Sequence, residues 1–332
     1  MSMRVLGIEL VCSAAALSSM GSLPAGLELK LLDARARASS EARQAFASEI
    51  RKERPDDLGM AVYIASEERP EDEVASTMEE VRGELDDLTA RAATRVRLNS
   101  LFSESSSTES ICRCVGDAMF GDLTQESDDE SFYEGNTDDF YDPRNSFLDE
   151  VVSRQKGIPI TMSLVFREAC RGCGAEMRLL NAPGHVVLCP DNDDPADDFV
   201  VDAFNGGNVL DGARSQVNAT TLTGLALAAR LLRNLRLIHE RPEVYDPVRL
   251  LGAAERLLLI ADRDPDCVAV PLSERAVCRL EVGLCLLALR DTERRAEAFG
   301  LLNEAAKLHG GSLSQIVKDP WFDGGEAGIT IV

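Results

Sequence analysis

The chain of 332 residues has only three histidines, at positions 185, 239 and 309, and that scarcity narrows where acid–base chemistry could sit. His239 and His309 fall at the ends of helical patterns, where an imidazolium simply favours the helix dipole. His185 differs. It follows Pro183-Gly184 at the start of a strand-like run, and Asp202 lies on the next strand-like run after an acidic loop. If Val187 pairs with Val200, His185 faces Asp202 directly, with Cβ atoms about 4.5–5.5 Å apart. A carboxylate at that distance fixes the imidazole tautomer and supports its protonated form, as in hydrolytic triads. Spacing alone favours reading the same pair as a buried hydrogen bond that pins a hairpin.

Sulfur is the second candidate. The nine cysteines are odd in number and lack the spacing of a disulfide framework, and Cys278 and Cys285 sit in apolar helical contexts, so they read as reduced thiols. Cys170-Arg171-Gly172-Cys173 has redox or metal spacing, but one such pair is two ligands short of a structural zinc site. Cys112 and Cys114 could complete it only if the fold brings them close. No phosphate loop, dinucleotide fingerprint or His-rich motif occurs, so no nucleotide or metal cofactor is expected.

Positioning these groups falls to a short mixed segment between helical flanks. Leu27 to Arg51 and Met60 to Leu101 carry apolar residues at three- and four-residue spacing, punctuated by Pro55 and Pro70, and predict amphipathic helices. Ser103 to Ser110 reads as a loop, and the stretch between Arg113 and Arg144, with ten acids and no base, reads mostly as solvated loop. Asp142-Pro143-Arg144-Asn145-Ser146 is turn chemistry, and Phe147 to Arg154 resumes helical spacing. Gly157-Ile158-Pro159 breaks the chain and starts a helix that Gly172 and Gly174 stop. Three strands are expected at Met177 to Leu180, His185 to Cys189 and Phe199 to Ala203, the last two forming a hairpin, and Asn205-Gly206-Gly207 closes the segment with a turn. Four helices follow over Leu222 to Glu240, Pro247 to Asp262, Leu272 to Arg290 and Glu293 to Leu308.

Four of these motifs, Asp142-Pro143-Arg144-Asn145-Ser146, Gly157-Ile158-Pro159-Ile160-Thr161, Pro183-Gly184-His185 and Asp202-Ala203-Phe204-Asn205-Gly206-Gly207, stand in one order and spacing. In this the chain resembles the SirB-type transglutaminase-like family, in which a transglutaminase-like core precedes tetratricopeptide-like helices. The resemblance covers residues 140–212 and implies a papain-like helix on an antiparallel sheet. It also implies a nucleophilic cysteine at the helix start, near Pro159, with His185 as the catalytic histidine and Asp202 as its orienting acid. No cysteine lies between Cys114 and Cys170, so the thiol is absent. Two hydroxyls near the helix start, Thr161 and Ser163, could replace it with His185 as base. Cys189, Cys170 and Cys173 read as small apolar core residues. The second and fourth C-terminal helices begin about 45 residues apart, longer than the roughly 34-residue tetratricopeptide unit, so any repeat is degenerate.

The expected class is α+β, mostly helical, with an N-terminal helical region and acidic loop over 1–139, the core over 140–212 and a helical region over 213–332. The net charge of −22 repels nucleic acid and anionic membrane and points to a protein or peptide partner with a basic segment. No apolar stretch is long enough to span a bilayer, and reduced thiols suit the cytoplasm, although Met1 to Leu17 has features of a targeting peptide. The leading expectation is a non-catalytic protein- or peptide-binding module. Its rival is an amide hydrolase or acyltransferase that uses His185, Asp202 and Thr161 or Ser163.

Overall fold

A computed structural model of the protein describes residues 25–69, 77–101, 107–121, 132–192, 194, 197–212, 219–222, 224–263, 268–308, 317–318 and 330–331. The run Met1 to Leu17, residues 103–106 of the Ser103 to Ser110 run, the acidic stretch 122–131 and His309 lie outside these residues. Backbone contacts group the chain into two units, residues 45–231 and residues 1–44 with 232–332. The motif-bearing stretch 140–212 therefore shares a unit with residues 45–139 before it.

Helices α1 (Ala25–Ala38), α2 (Glu41–Glu49), α3 (Asp57–Glu68) and α4 (Met78–Ser100) fall where apolar periodicity predicts them. The Asp56 carboxylate caps α3 by accepting from the Leu58 N–H at 3.2 Å. At α4 the Thr77 hydroxyl accepts from the Glu80 N–H while the Glu80 carboxylate accepts from the Thr77 N–H, a reciprocal pair that satisfies two helix-end donors. Helix α4 buries Val81, Leu85, Leu88 and Ala92, one stripe at helical spacing. Helix α5 (Thr108–Phe120) corrects the loop reading at this point. Its apolar residues Ile111, Cys112, Val115, Ala118 and Met119 are buried, and Ser107 caps it by accepting from the Ser110 N–H. The Ser/Thr-rich run that looks like loop is the cap.

Next come β1 (Glu134–Gly135), a 3-10 turn at Pro143–Ser146, α6 (Leu148–Arg154), β2 (Lys156–Gly157) and α7 (Pro159–Gly172), with β1 parallel to β2. An antiparallel sheet follows: β3 (Met177–Ala182), β4 (His185–Pro190), β5 (Phe199–Asp202), β6 (Asn208–Asp211) and β7 (Thr220–Thr221), in the order β6-β5-β4-β3-β7. Gly206 and Gly207, at φ 75° and 69°, make the turn that adds β6. Alternation gives the sheet two faces. Leu179, Val186, Leu188 and Val201 are fully buried on one, and Met177 on the same face reaches Cys112 of α5, itself against Cys170 of α7. The other face holds a small cluster of Val187, Cys189 and Val200 with Leu180. The observed class is α+β, mostly helical, with a helix on a small antiparallel sheet and C-terminal helices.

Helix α8 (Leu225–His239) spans the boundary at 231, and the other unit continues with α9 (Pro247–Arg263), α10 (Leu272–Ala288) and α11 (Arg295–Leu308); α10 packs on both α9 and α11, and α1 packs on α9. Gly283 lets α10 approach α11 closely, since a Cβ there would lie 2.6 Å from Leu302 Cγ. Strands β8 (Val317–Lys318) and β9 (Thr330–Ile331) pair antiparallel. Among the described residues no helix is long and apolar enough to cross a membrane.

Candidate functional site

The start of α7 is closed and apolar. Gly157 lies so near Thr161 that a Cβ would sit 2.8 Å from the hydroxyl oxygen. Ile158 is extended, Pro159 opens the helix, and Ile158, Pro159 and Ile160 are all buried. The Thr161 hydroxyl donates to the Asn145 carbonyl at 2.8 Å and accepts from the Ile158 N–H at 3.2 Å. It thereby holds one of the helix-end donors that a capping residue would otherwise take. Ser163, also fully buried, donates to the Val186 carbonyl at 3.3 Å. Neither hydroxyl is hydrogen-bonded to His185.

His185 and Asp202 do meet. Nε2 of His185 lies 2.9 Å from Oδ1 of Asp202, with the side chains 28% and 14% exposed. The contact has the length of an ion pair without the alignment of a straight hydrogen bond, and the Nε2 atom itself is covered. The register is a correction. Leu188, not Val187, sits at the shifted position, opposite Val201, so Val187 opposes Asp202 and His185 lies one diagonal step away. The expected pairing of Val187 with Val200 is off by two residues, because the ladder aligns the ends of the two apolar runs. A slip of two keeps every side chain on its face, so the imidazole still reaches the carboxylate along the diagonal. The same carboxylate organises its own turn, accepting from the Phe204 and Asn205 N–H groups at 3.1 and 3.2 Å and from the Asn205 side chain at 2.6 Å.

A loop beside this pair was not singled out by sequence. Asn145 is fully buried, and its side-chain amide donates to the carbonyls of Asp139 and Phe140 while its oxygen accepts from Asn136 and Arg154. Asn136 in turn accepts from the Asp139 N–H at 3.0 Å. The loop so held carries Phe140 and Tyr141, whose rings meet edge-on at 5.6 Å. Phe140 meets Phe204 edge-on at 6.4 Å, and Phe204 meets the His185 ring at 6.1 Å. Gly135 makes this docking possible, since a Cβ there would lie 2.6 Å from the Phe204 carbonyl oxygen. Burial pushes the Asp142 carboxyl up, but hydrogen bonds and charge from Arg144, with Arg154 beyond, hold it below its ordinary range. Two adjacent aromatics inside an otherwise acidic, polar run are the signal that could have marked this loop.

The cysteines of the two helices do converge. Cys112 Sγ lies 3.9 Å from Cys170 Sγ and 3.6 Å from Met177 Sδ, all buried. Burial raises the Cys170 thiol well above its ordinary range, and raises Cys114 and Cys173 as well. Among the described residues no group of three or more His, Cys, Asp or Glu is arranged to hold a metal ion.

Residues 79–237 match the transglutaminase-like superfamily. Over these residues the chain is similar to a transglutaminase-like domain. This stretch runs from α4 into α8 and includes α7, the five-stranded sheet, His185 and Asp202. The chain is 30% identical over 185 residues to a UPF0162 protein of Xylella fastidiosa strain Temecula1, covering 50% of this chain and 63% of that one. A second UPF0162 protein, from strain 9a5c, is 30% identical over 169 residues, 46% of this chain and 57% of that protein. The chain thus spans less than two thirds of the length of either relative. A shorter stretch of 88 residues, 25% of this chain, is 33% identical to F-box only protein 21 of mouse and of human, in which it makes up 14% of the protein.

Proposed function

We propose that the transglutaminase-like domain is a protein- or peptide-binding module of the SirB-type family, with the C-terminal helices as degenerate tetratricopeptide-like pairs, working in the cytoplasm. The observation that carries this reading is the commitment of both candidate hydroxyls. Thr161 and Ser163 are fully buried and bonded to backbone carbonyls, so neither is presented to His185 as a nucleophile in place of the missing thiol. An alcohol needs a base in hydrogen-bond reach to react at neutral pH. His185 and Asp202 then serve to orient a ligand group beside the Phe140 loop. Recurrence of an 88-residue stretch of the chain within the much longer F-box only protein 21 suits a unit that is used as a module. The acidity of the chain favours a partner with a basic segment, and high salt weakens such a complex.

One observation favours the rival reading of an amide hydrolase or acyltransferase: the His185–Asp202 pair is retained at 2.9 Å with part of the ring exposed. A single experiment separates the two. The full chain is incubated with a fluorogenic γ-glutamyl amide, with and without a primary amine acceptor, beside the His185→Gln and Thr161→Ser variants. The binding module gives no release above buffer. Release that His185→Gln abolishes establishes the enzyme and overturns the module.

A further inference from the structure

The rings of Phe140 and Tyr141 stand out on the transglutaminase-like unit, 42% and 52% exposed, in a protein with 5% aromatic residues. Exposed neighbouring aromatics on a rigid support mark a contact surface. The support here is rigid: Asn145 binds the Asp139 and Phe140 carbonyls, Asn136 binds the Asp139 N–H, and Gly135 brings the loop against Phe204. Successive ring planes cross at 80°, 79° and 77° from Tyr141 through Phe140 and Phe204 to His185, so the rings form a stepped corner. Perpendicular rings expose both faces and edges, and ring faces attract cations.

Charge at the corner has the matching sign. Asp138 and Asp139 are exposed on the same loop and make no ion pair within 4 Å among the described residues. The nearby guanidiniums, Arg144 and Arg154, are both turned to Asp142. Asp202 adds a carboxylate beside His185. The acids Asp138 and Asp139 thus sit next to the exposed rings.

We propose that this corner of Phe140, Tyr141 and Phe204, flanked by Asp138 and Asp139, receives a lysine or arginine side chain of a basic peptide. The inference rests on the binding-module reading and names the group that the module grips. The cation lies against the rings while the aspartates neutralise it, and the His185 ring, edge-on to Phe204, ends the row.

The test uses the full chain and a fluorescein-labelled octapeptide alternating glycine and arginine, followed by anisotropy at fixed ionic strength. Its twin carries citrulline for arginine, the same shape without charge. The arginine peptide is expected to bind at least tenfold more tightly than the citrulline peptide. Phe140→Leu and Tyr141→Leu, which keep apolar bulk without a π face, are each expected to weaken it by about tenfold, while Tyr141→Phe keeps binding. Circular dichroism confirms that each variant is folded. Equal binding of the two peptides, or undiminished binding by the leucine variants, overturns the corner; in the second case diffuse attraction to the acidic chain is the cause and the module reading stands. Absence of all peptide binding together with His185-dependent release from the glutamyl amide overturns both.

Discussion

Thr161 and Asn145 are joined by a 2.8 Å hydrogen bond from the threonine hydroxyl to the asparagine carbonyl, which ties the start of α7 to the loop that carries Phe140. The same hydroxyl accepts from the Ile158 N–H, so one buried side chain closes two backbone groups. Thr161→Val keeps the shape and leaves both groups unpaired, and it is expected to cost about 1–3 kcal/mol in urea unfolding. Thr161→Ser keeps the oxygen and is expected to cost less. Equal costs for the two variants would show that the hydroxyl is dispensable.

Asn145 completes the same connection from the loop side. Its amide has four partners and no exposure, so Asn145→Ala opens a polar cavity and strips the Asp139 and Phe140 carbonyls of their donor. A loss of about 2–4 kcal/mol is expected. Hydrogen exchange should also rise at the amides of 136–141 before it rises in the sheet. Uniform exchange across the unit would argue against a local role.

Gly135 is a position where space, rather than backbone angle, selects glycine. A Cβ would fall 2.6 Å from the Phe204 carbonyl and 2.8 Å from its ring, and the ring cannot yield without leaving Phe140 and His185. Gly135→Ala is expected to destabilise by about 1–3 kcal/mol. It should also shift the ring-proton resonances of His185 in an NMR spectrum, while Gly26→Ala, with open space around it, leaves them in place.

The helical unit holds a carboxyl with an unusual dependence on pH. Burial pushes Glu281 up to about 7, Arg236 at 3.4 Å offsets part of this, and Glu240 and Glu274 push it further. Between about 4.5 and 7 the folded chain thus holds a proton that the unfolded chain releases, so stability from this group is full below pH 4.5 and declines as pH rises to 7. The decline is expected to be about 2–3 kcal/mol. Urea unfolding at a series of pH values should show it in the wild type and lose it in Glu281→Gln. A slope that survives in the variant would assign it to other groups.

Arg167 is nearly buried between Asp57 at 2.6 Å and Glu168 at 2.9 Å, and Asp57 also accepts from the Gly224 N–H. Removing the guanidinium leaves the largely buried Asp57 carboxylate without its counter-charge, while Glu168 keeps Arg171 at 2.8 Å. Arg167→Ala is expected to cost about 3–5 kcal/mol, measured by urea unfolding at pH 7. Double substitution with Asp57→Asn should recover part of that loss.

Local patterning made most of the helices and three of the strands legible, because their apolar stripes and caps lie within a few residues of one another. Helix α5 was hidden, since its cap is a serine in a Ser/Thr/Glu run and its core face is short, ending at Met119. The meeting of His185 with Asp202 was readable although the register was not: a two-residue slip changes the partner but not the face. The roles of Asn145 and Gly135 could not be read, because their partners, Thr161 and Phe204, are brought near only by the completed fold. Thr161 and Ser163 show the converse. Their types suggest nucleophiles, and only tertiary contacts reveal that the backbone already holds them.

The Cys112 and Cys170 thiols touch across the seam between α5 and α7, both buried, and burial raises the Cys170 thiol well above its ordinary range. Such sulfurs are inert to alkylating reagents until the two helices separate. The seam thus carries a built-in reporter: the rate at which maleimide labels these two positions counts how often this part of the protein opens, without any probe being introduced.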